Sequence, residues 1–465
     1  MPGQSGEGEG EGMQHRGASG YRRSARPLAG RTEPRADLPK QAPQTWSSAT
    51  VGERRPSRPP GRAWRWFSLL LCVQLGTASG AAAQGAPTLR QVVEIALQRN
   101  PDIRQARLRV DSAHGERRIA RALPNPVYAG IPSTPYQYSV ALPIDLSPER
   151  LYRTRAAKQG EDATAFDQRD VVRQVLFGVR QAFYDLLLAD AQRQIALEQR
   201  DIFRQLLSAD SVRLRAGDLP QRDLVKSELE FARAESNLTR AEAAARASRL
   251  VLQALMGVSQ PDTAFTVTGE LQSAPELAVP IDSLLPFAFA TRPDMAGARE
   301  RVDQSRSLQG LAVAGLFPVP VVSVVYQNAP FESGLRYAFG IALPVPLFYW
   351  NGGERQRANA GVAGAEVALQ RVRVQLEADV AVALGNFRAA RVLAERYQGG
   401  LLDKATAALQ TSRFAYQQGA ISLLELLDAI RTYGETRTEY YGAVHDYWLA
   451  AYALSRAVST EVVRE

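Results

Sequence analysis

Cysteine and histidine are nearly absent from this chain, which has one cysteine and three histidines among 465 residues. With Cys72 alone, no disulfide can form within the chain and no paired-cysteine metal site is possible. The histidines, His15, His114 and His445, lie far apart in sequence, and no catalytic triad motif accompanies them. We therefore expect that the protein is not an enzyme and that it uses no cofactor and no resident metal ion.

Proline is missing from two long stretches, one between Pro148 and Pro220 and one after Pro346. Because proline interrupts helices, its absence permits helices of about 60 residues, roughly 90 Å long. Apolar residues within 172–186 and 441–451 alternate at spacings of four and three, which is the spacing of a coiled-coil seam. The pattern predicts long packed helices instead of several ordinary globular domains.

A large excess of one charge is also missing once the N-terminal part is set aside. The formal net charge is +8, with 56 basic and 48 acidic residues in the whole chain. Residues 1–83 hold 12 basic and 6 acidic residues, which leaves 44 basic and 42 acidic residues from Gln84 onward. A net charge this small removes the electrostatic case for a nucleic-acid partner.

The N-terminal part itself has two sections. Residues 1–61 mix Gly, Glu, Arg, Pro and Ser without apolar periodicity, so we expect a disordered extension or a mis-assigned start. Residues 62–83 contain two arginines, then an apolar run and finally three alanines, which is the order of a secretory signal peptide. An apolar run of about ten residues is too short to span a bilayer as a helix, which takes roughly 20. Cys72 lies inside the run and leaves lipid attachment open.

The rest of the chain contains an internal repeat. A helix start of the form X-Pro-Asp, a strand with Ala-Leu-Pro near its end, and a glycine before a helical segment each occur twice, and Gly217 matches Gly419 at an offset of 202. The matching segments are 96–106 with 290–298, 138–145 with 339–346, and 215–229 with 417–429.

Each copy predicts a helix, two strands and a long helical hairpin. The first copy spans 88–280, with strands at about 125–131 and 136–143 and a hairpin at about 148–257. The second spans 281–460, with strands at about 319–327 and 335–343 and a hairpin at about 353–457. The glycines at 217 and 419 are then the turns of the two hairpins.

The predicted strands alternate in an unusual way. In 335–343 every odd position is large and apolar, while the even positions are Arg, Ala, Gly and Ala, which gives one face suited to lipid and one suited to a lumen. Four strands cannot close a barrel and open edges are excluded from hydrocarbon, so a membrane location requires three copies and twelve strands. Aromatic residues near the strand ends are expected at the membrane interface: Tyr128, Tyr136, Tyr138, Tyr326, Phe348, Tyr349 and Trp350.

These features together resemble the TolC-like outer-membrane efflux family over residues 88–460. Its hairpin pattern is a glycine followed six residues later by an acid and then leucine, which occurs here after Gly217 and again after Gly419. The resemblance implies a mainly α fold with membrane β, a TolC-like α/β-barrel in which each protomer of a homotrimer gives four strands to an outer-membrane barrel and long coiled-coil hairpins to a periplasmic tunnel. It implies partners as well, namely a periplasmic adaptor, an inner-membrane pump and outer-membrane lipid.

The resemblance also assigns two groups of residues. Glu425 and Asp428, three residues apart on one helical face, would narrow the periplasmic aperture, whereas the alternative is that they are ordinary acids at a helix start. The hairpin tips would contact the adaptor, although the family's tip has apolar residues beside the glycine and this chain does not. The tip residues are Ala216, Gly217, Asp218, Gln418, Gly419 and Ala420.

A second class of function remains open, a structural periplasmic coiled-coil protein without a pore. The heptad spacing fits both, but a purely structural rod has no use for strands with a lipid-facing side, so the strands favour the channel. The exported substrate stays undetermined between drugs, metals and proteins.

Overall fold

The computed structural model of the protein describes residues 86–132, 136–271, 276–277, 283–328 and 336–464. The predicted extension, the signal peptide and Cys72 lie outside these residues. The helices are α1 (Leu89–Arg99), α2 (Pro101–Arg121), α3 (Pro148–Ala216), α4 (Gln221–Leu255), α5 (Leu284–Thr291), α6 (Pro293–Ala314), α7 (Gly352–Gln398), α8 (Leu401–Gln417) and α9 (Leu423–Val458). The strands are β1 (Val127–Ile131), β2 (Tyr136–Pro143), β3 (Glu276–Leu277), β4 (Val321–Asn328), β5 (Tyr337–Ala342) and β6 (Val463–Arg464).

The two halves follow the same order of elements. Each has two helices, two strands and a long hairpin, and corresponding helices match in length: α2 and α6 have 21 and 22 residues, α4 and α9 have 35 and 36. The internal repeat predicted from sequence is therefore also a repeat of structure.

Both X-Pro-Asp motifs begin helices, as predicted. Proline at the first helical position is favoured because its missing N–H needs no partner there. In the first copy the Asn100 side chain accepts hydrogen bonds from the backbone N–H groups of Asp102 and Ile103. The Asn100 amide also donates to the carbonyl of Leu255 at 2.8 Å, which ties the start of α2 to the end of α4.

The glycines predicted as hairpin turns both have positive φ, 85° at Gly217 and 72° at Gly419. At the first turn the N–H of Asp218 donates to the carbonyl of Arg213 at 2.9 Å, and the second turn repeats the pattern from Ala420. These bonds satisfy the last carbonyls of α3 and α8, as in other helices that end on a left-handed glycine.

The first arm of the second hairpin is broken, which differs from the uninterrupted helix that its sequence led us to expect. α7 ends at Gln398, Gly400 has φ 91°, and α8 begins at Leu401. A left-handed residue cannot continue a right-handed helix, and glycine adopts this conformation at little cost.

The main sheet has four antiparallel strands in the order β1-β2-β4-β5. Its register pairs Tyr138 with Tyr326, and Tyr326 with Tyr337. β1 and β5 are the edges. The short strands β3 and β6 form a separate pair.

The helices pack side by side. α2 and α4 pack against α3, α3 packs against α6 and α9, and α7 packs against α6 and α9. The main apolar core includes Val179, Phe183, Val444 and Trp448, so these predicted heptad positions are buried, whereas others in the same stripes, such as Val172, are half-buried. Within the described residues, no helix is long and apolar enough to cross a membrane.

Candidate functional site

The main sheet has two chemically different faces. Because residues paired across antiparallel strands share a face, the register separates them directly. One face is almost entirely large and apolar: Tyr128, Tyr136, Tyr138, Val140, Leu142, Val322, Val324, Tyr326, Tyr337, Phe339 and Ile341. The other is mostly small or polar, with Ala129, Gln137, Ser139, Ala141, Ser323, Gln327, Ala338, Gly340 and Ala342 among its residues.

The large apolar face is the exposed one. Along β2 the residues Tyr136, Tyr138, Val140 and Leu142 are exposed, while the small residues between them are half-buried. On β5, Phe339 is 82% exposed. A sheet in water would bury its large apolar side chains, so this distribution indicates a surface that faces lipid.

Four of the predicted interface aromatics lie on this face. The ring of Tyr128 stacks on Tyr138 with centroids 6.3 Å apart, and Gly130 leaves room for the pair. Tyr326 contacts Tyr337 at 5.2 Å between ring centroids. We did not predict Tyr337, although it continues the odd-numbered apolar pattern of its strand. Tyr136, the fourth predicted aromatic, pairs with Asn328 where β2 begins.

The other three predicted aromatics lie between β5 and α7. Phe348, Tyr349 and Trp350 are 98%, 54% and 64% exposed. The Tyr349 hydroxyl donates to Glu354 at 2.5 Å and accepts from the N–H of Gly353 at 2.9 Å. The bond from Tyr349 lowers the pKa of the Glu354 carboxyl. Aromatic residues therefore lie at both ends of the sheet, which is the arrangement of interface girdles.

The hairpin tips are simple exposed turns. All six tip residues are exposed, and a Cβ built on either Gly217 or Gly419 would meet nothing within 4 Å. A side chain at either glycine would still be strained, because φ is positive. The tips Ala216-Gly217-Asp218 and Gln418-Gly419-Ala420 thus have room for a partner but little tolerance for substitution.

Glu425 and Asp428 both lie exposed in the first turns of α9. The Ser422 hydroxyl accepts from the N–H of Glu425 at 3.3 Å and donates to its carboxylate at 3.2 Å. This capping arrangement satisfies a free N–H at the helix start, so Glu425 has a structural role whatever else it does. Asp428 has no hydrogen bond or ion pair to any residue that the structure describes.

The same positions in the first hairpin have different charges. At the repeat offset of 202, Glu425 corresponds to Asp223 and Asp428 to Lys226. There, Lys226 forms an ion pair with Asp223 at 3.1 Å and Arg222 lies 3.8 Å from the same carboxylate, so the acid of the first hairpin is neutralised. In the second hairpin an acid replaces the lysine, and two unneutralised carboxylates lie one helical turn apart.

A buried polar network near the tips was not predicted from sequence. The Asp210 carboxylate of α3 is fully buried and accepts from Ser227 of α4 at 2.5 Å and from the Tyr416 hydroxyl of α8 at 2.8 Å. Burial, and next the bond to Asp210, raise the pKa of Tyr416, and Arg213 lies over its ring at 5.1 Å. The network joins the first hairpin to the second through one carboxylate.

The two histidines within the described residues take part in acid pairs. His114 contacts Glu161 at 3.0 Å. His445 contacts Asp185 at 2.8 Å and Asp446 at 3.0 Å. Burial would lower the pKa of His445, but these two hydrogen bonds outweigh burial and raise it. The described part of the chain holds no group of three or more His, Cys, Asp or Glu that could bind a metal ion.

The sequence matches the family described as outer membrane efflux protein over residues 130–258 and 284–460. It is 25% identical over 380 residues to the cobalt-zinc-cadmium resistance protein CzcC of Cupriavidus metallidurans, covering 80% of this chain and 90% of that protein. It is 26% identical over 386 residues to the cation efflux system protein CusC of Escherichia coli K12, covering 75% and 81%.

Solved structures show the same fold. The outer membrane channel CmeC of Campylobacter jejuni superposes with a TM-score of 0.72 at 16% identity, over 81% of this chain and 86% of that one. The open state of the MtrE outer membrane channel of Neisseria gonorrhoeae gives a TM-score of 0.67 at 20% identity, over 82% and 90%.

Proposed function

Because the chain belongs to the outer membrane efflux protein family and is an outer-membrane efflux channel, we propose that three copies close its sheet into a twelve-stranded barrel. The family consists of channels and not of enzymes. The main support for a trimer is the exposed apolar face of the sheet, together with its edges. The edge strands, β1 and β5, have no partner strand among the described residues. In hydrocarbon each unpaired backbone group would cost several kcal/mol, so the edges must pair with other copies.

Two exposed helical stripes support the same assembly. On α4 and α8, small or apolar side chains are exposed at spacings of three or four, which is typical of helices that pack against another helix. The α4 stripe is Val225, Leu229, Ala232, Ser236, Thr239 and Ala243, and the α8 stripe is Ala407, Thr411 and Phe414. Both stripes lie near the level of Asp210, which bonds Ser227 of α4 and Tyr416 of α8, so we infer that α4 of one protomer packs against α8 of the next.

Cysteine cross-linking tests this assembly, since the only native cysteine lies in the predicted signal peptide. Ala232→Cys and Thr411→Cys in one chain should give a covalent trimer with a short bismaleimide, and each single variant should give no product larger than a dimer. Arg233→Cys with Thr411→Cys is the matched control, because Arg233 neighbours the stripe but pairs with Glu230. A double variant that stays monomeric, or a control that cross-links equally well, contradicts the proposed interface.

We further propose that Glu425 and Asp428 form the charged aperture. Three protomers would bring six carboxylates together, and like charges gathered at a narrow mouth attract cations. The replacement of a neutralising Lys226 by Asp428 supports this reading, because a helix start alone needs only one acid, and Glu425 already supplies it.

The tips are proposed as the contact with a periplasmic adaptor, through which the channel receives its cargo from an inner-membrane pump. The tips are exposed and their glycines have positive φ, which supports a contact surface that accepts no bulky side chain at Gly217 or Gly419. Gly419→Glu should therefore impair export and adaptor cross-linking while the trimer remains folded, and Gly364→Glu, at an exposed glycine inside α7 with open space around its Cβ, is the control. Normal export by the Gly419 variant would refute the assignment.

The substrate class proposed is metal cations, because the relatives CzcC and CusC are named for cobalt-zinc-cadmium resistance and cation efflux. The proposed carboxylate aperture would let metal cations pass without binding them tightly. Deletion in the native host should raise sensitivity to cobalt, zinc or cadmium more than to organic drugs. The opposite result would refute the cation assignment and leave the channel standing.

A further inference from the structure

The number of charged residues changes abruptly between the main sheet and the helix ends next to it. The strands β1, β2, β4 and β5 contain no charged residue. The helix ends next to the sheet and the loops that join them to it, 117–126, 144–155, 314–320 and 343–357, contain eight arginines, all in the helix ends, and only three acids. We call these arginines the collar: Arg117, Arg118, Arg121, Arg150, Arg153, Arg155, Arg355 and Arg357. The three acids are Asp145, Glu149 and Glu354.

Six of the eight collar arginines form no ion pair among the described residues. Arg117 pairs with Glu161 at 3.1 Å and Arg153 with Asp145 at 2.7 Å. The other six have no carboxylate within ion-pair distance among the described residues, and Arg150 instead donates to the carbonyl of Arg121 at 3.0 Å. A trimer would place these charges around the whole circumference.

The collar continues directly from the apolar face of the sheet. The odd-numbered residues that follow β5, Leu343, Val345 and Leu347, are exposed by 52%, 62% and 71%, and this stripe ends at Tyr349. After β2, Leu146 is 83% exposed. Lipid in contact with the sheet would therefore meet first an apolar stripe, then the aromatic residues and then the arginines.

A groove of about 600 Å³ opens where α3 and α7 begin and α6 ends. Tyr152, Val313 and Phe317 supply an apolar wall, and Arg306 and Arg355 lie at its margin, with no acid in the lining. Phe317 is 59% exposed. The groove is lined by residues of α3, α6 and α7, so it is away from the α4 and α8 stripes proposed as the protomer contact.

We propose that the collar binds the anionic headgroups of phospholipids in the periplasmic leaflet of the outer membrane, with acyl chains along the apolar stripe. Guanidinium groups bind phosphate through paired N–H donors, and arginine stems can lie on apolar surface while their ends stay in the headgroup layer. The charge-free sheet beside a cationic zone favours a lipid over a soluble anion. The proposal rests on the outer-membrane location of the channel, and not on the aperture or the adaptor.

The test compares lipid retention by the full-length trimer in nanodiscs of phosphatidylcholine with and without phosphatidylglycerol, measured by native mass spectrometry. Each basic residue near an anionic surface contributes about fivefold in affinity, or about 1 kcal/mol. Arg155→Gln with Arg355→Gln should therefore weaken phosphatidylglycerol retention by about 25-fold. Arg355→Lys keeps the charge and should retain most of the binding.

Arg104→Gln with Arg299→Gln is the matched control. Both arginines are exposed and without an ion pair among the described residues, and Arg104 lies 17 residues from Arg121 on the same helix, roughly 25 Å away. At that distance the charge is screened, so retention should not change. Wild-type retention should fall at high salt and should resist competition by inorganic phosphate.

Equal retention in the collar and control variants would overturn the proposal, as would equal retention of phosphatidylcholine and phosphatidylglycerol by the wild type. Displacement by inorganic phosphate would show a general anion site instead of a lipid site. Circular dichroism and the trimer band confirm folding in each case, so a failed trimer is distinguished from a failed lipid site.

Discussion

The Asp210 network gives a quantitative prediction for Tyr416→Phe. The substitution removes only the hydroxyl that donates to Asp210 at 2.8 Å, and leaves the ring in its packed position. Asp210 is fully buried, so water cannot easily replace the lost donor. A hydrogen bond to a charged group contributes about 1.5–3 kcal/mol, and leaving a buried acceptor unsatisfied costs a similar amount.

The loss should appear locally, because the network joins α8 to α3 and α4 near the hairpin ends. A change of about 1.5–3 kcal/mol raises the population of locally open states by about 10- to 150-fold. Hydrogen exchange detected by mass spectrometry should therefore show faster exchange in peptides from α8 and the start of α9, with unchanged exchange in α2 and α6.

Tyr397→Phe is the matched control. The Tyr397 hydroxyl also donates to a carboxylate, Glu439, at 2.8 Å, but this bond is exposed. Water can replace it, so the expected effect is below about 0.5 kcal/mol. Equal exchange in the Tyr416 and Tyr397 variants would refute the claim that burial of Asp210 makes this bond strong.

Three further predictions concern the aperture, the sheet and a buried histidine. Glu425→Ala with Asp428→Ala should reduce cation selectivity and divalent block in planar bilayers, and unaltered conduction would leave the two acids as helix-start residues. Phe339→Arg should destabilise the membrane-inserted barrel by about 2–4 kcal/mol, whereas Ala338→Arg on the opposite face should not, as measured by unfolding in lipid. Because the folded-state pKa of His445 is raised, its stabilising contribution is fully present below its unfolded pKa and is lost as pH rises through the folded value. The melting temperature should fall over that range, and His445→Gln should remove the pH dependence.

Local patterns predicted most of the fold because the physics behind them is local. The two X-Pro-Asp starts, the alternation of the strands and the heptad spacing each depend on neighbours within a turn or two of chain. The break at Gly400 shows the limit of such patterns. Glycine is tolerated inside helices, and Gly442 lies within α9, so a glycine alone does not say where a helix ends.

The Asp210 network and the collar depend on long-range placement. Asp210 and Tyr416 are 206 residues apart, and neither residue belongs to a recognisable motif. The collar arginines come from separate segments of both halves and form a zone only when the strands align. Sequence reasoning therefore led to a prediction of interface aromatics but not of the arginines that lie near them.

Comparison of the two repeats separates positions that keep a role from positions that changed one. Asn100 and Arg292 differ in charge, yet each precedes an X-Pro-Asp helix and holds the end of the second hairpin arm in its own half: Asn100 donates to the carbonyl of Leu255, and Arg292 to that of Ala457. The chemistry differs while the structural role is preserved.

Lys226 and Asp428 show the contrasting case, in which the structural role of the position changes as well as its chemistry. The helix start is preserved in both copies, with a capped or paired acid at the first position, but the ion pair of the first copy is lost and no residue among those described replaces it. Stability does not explain the change, because the lysine neutralises an acid at little cost and the aspartate adds repulsion between like charges one turn apart. A duplicated position that loses a favourable pair without compensation within the protomer is best explained by a requirement outside it. This asymmetry, and not the presence of acids alone, makes the second hairpin the better candidate for the aperture.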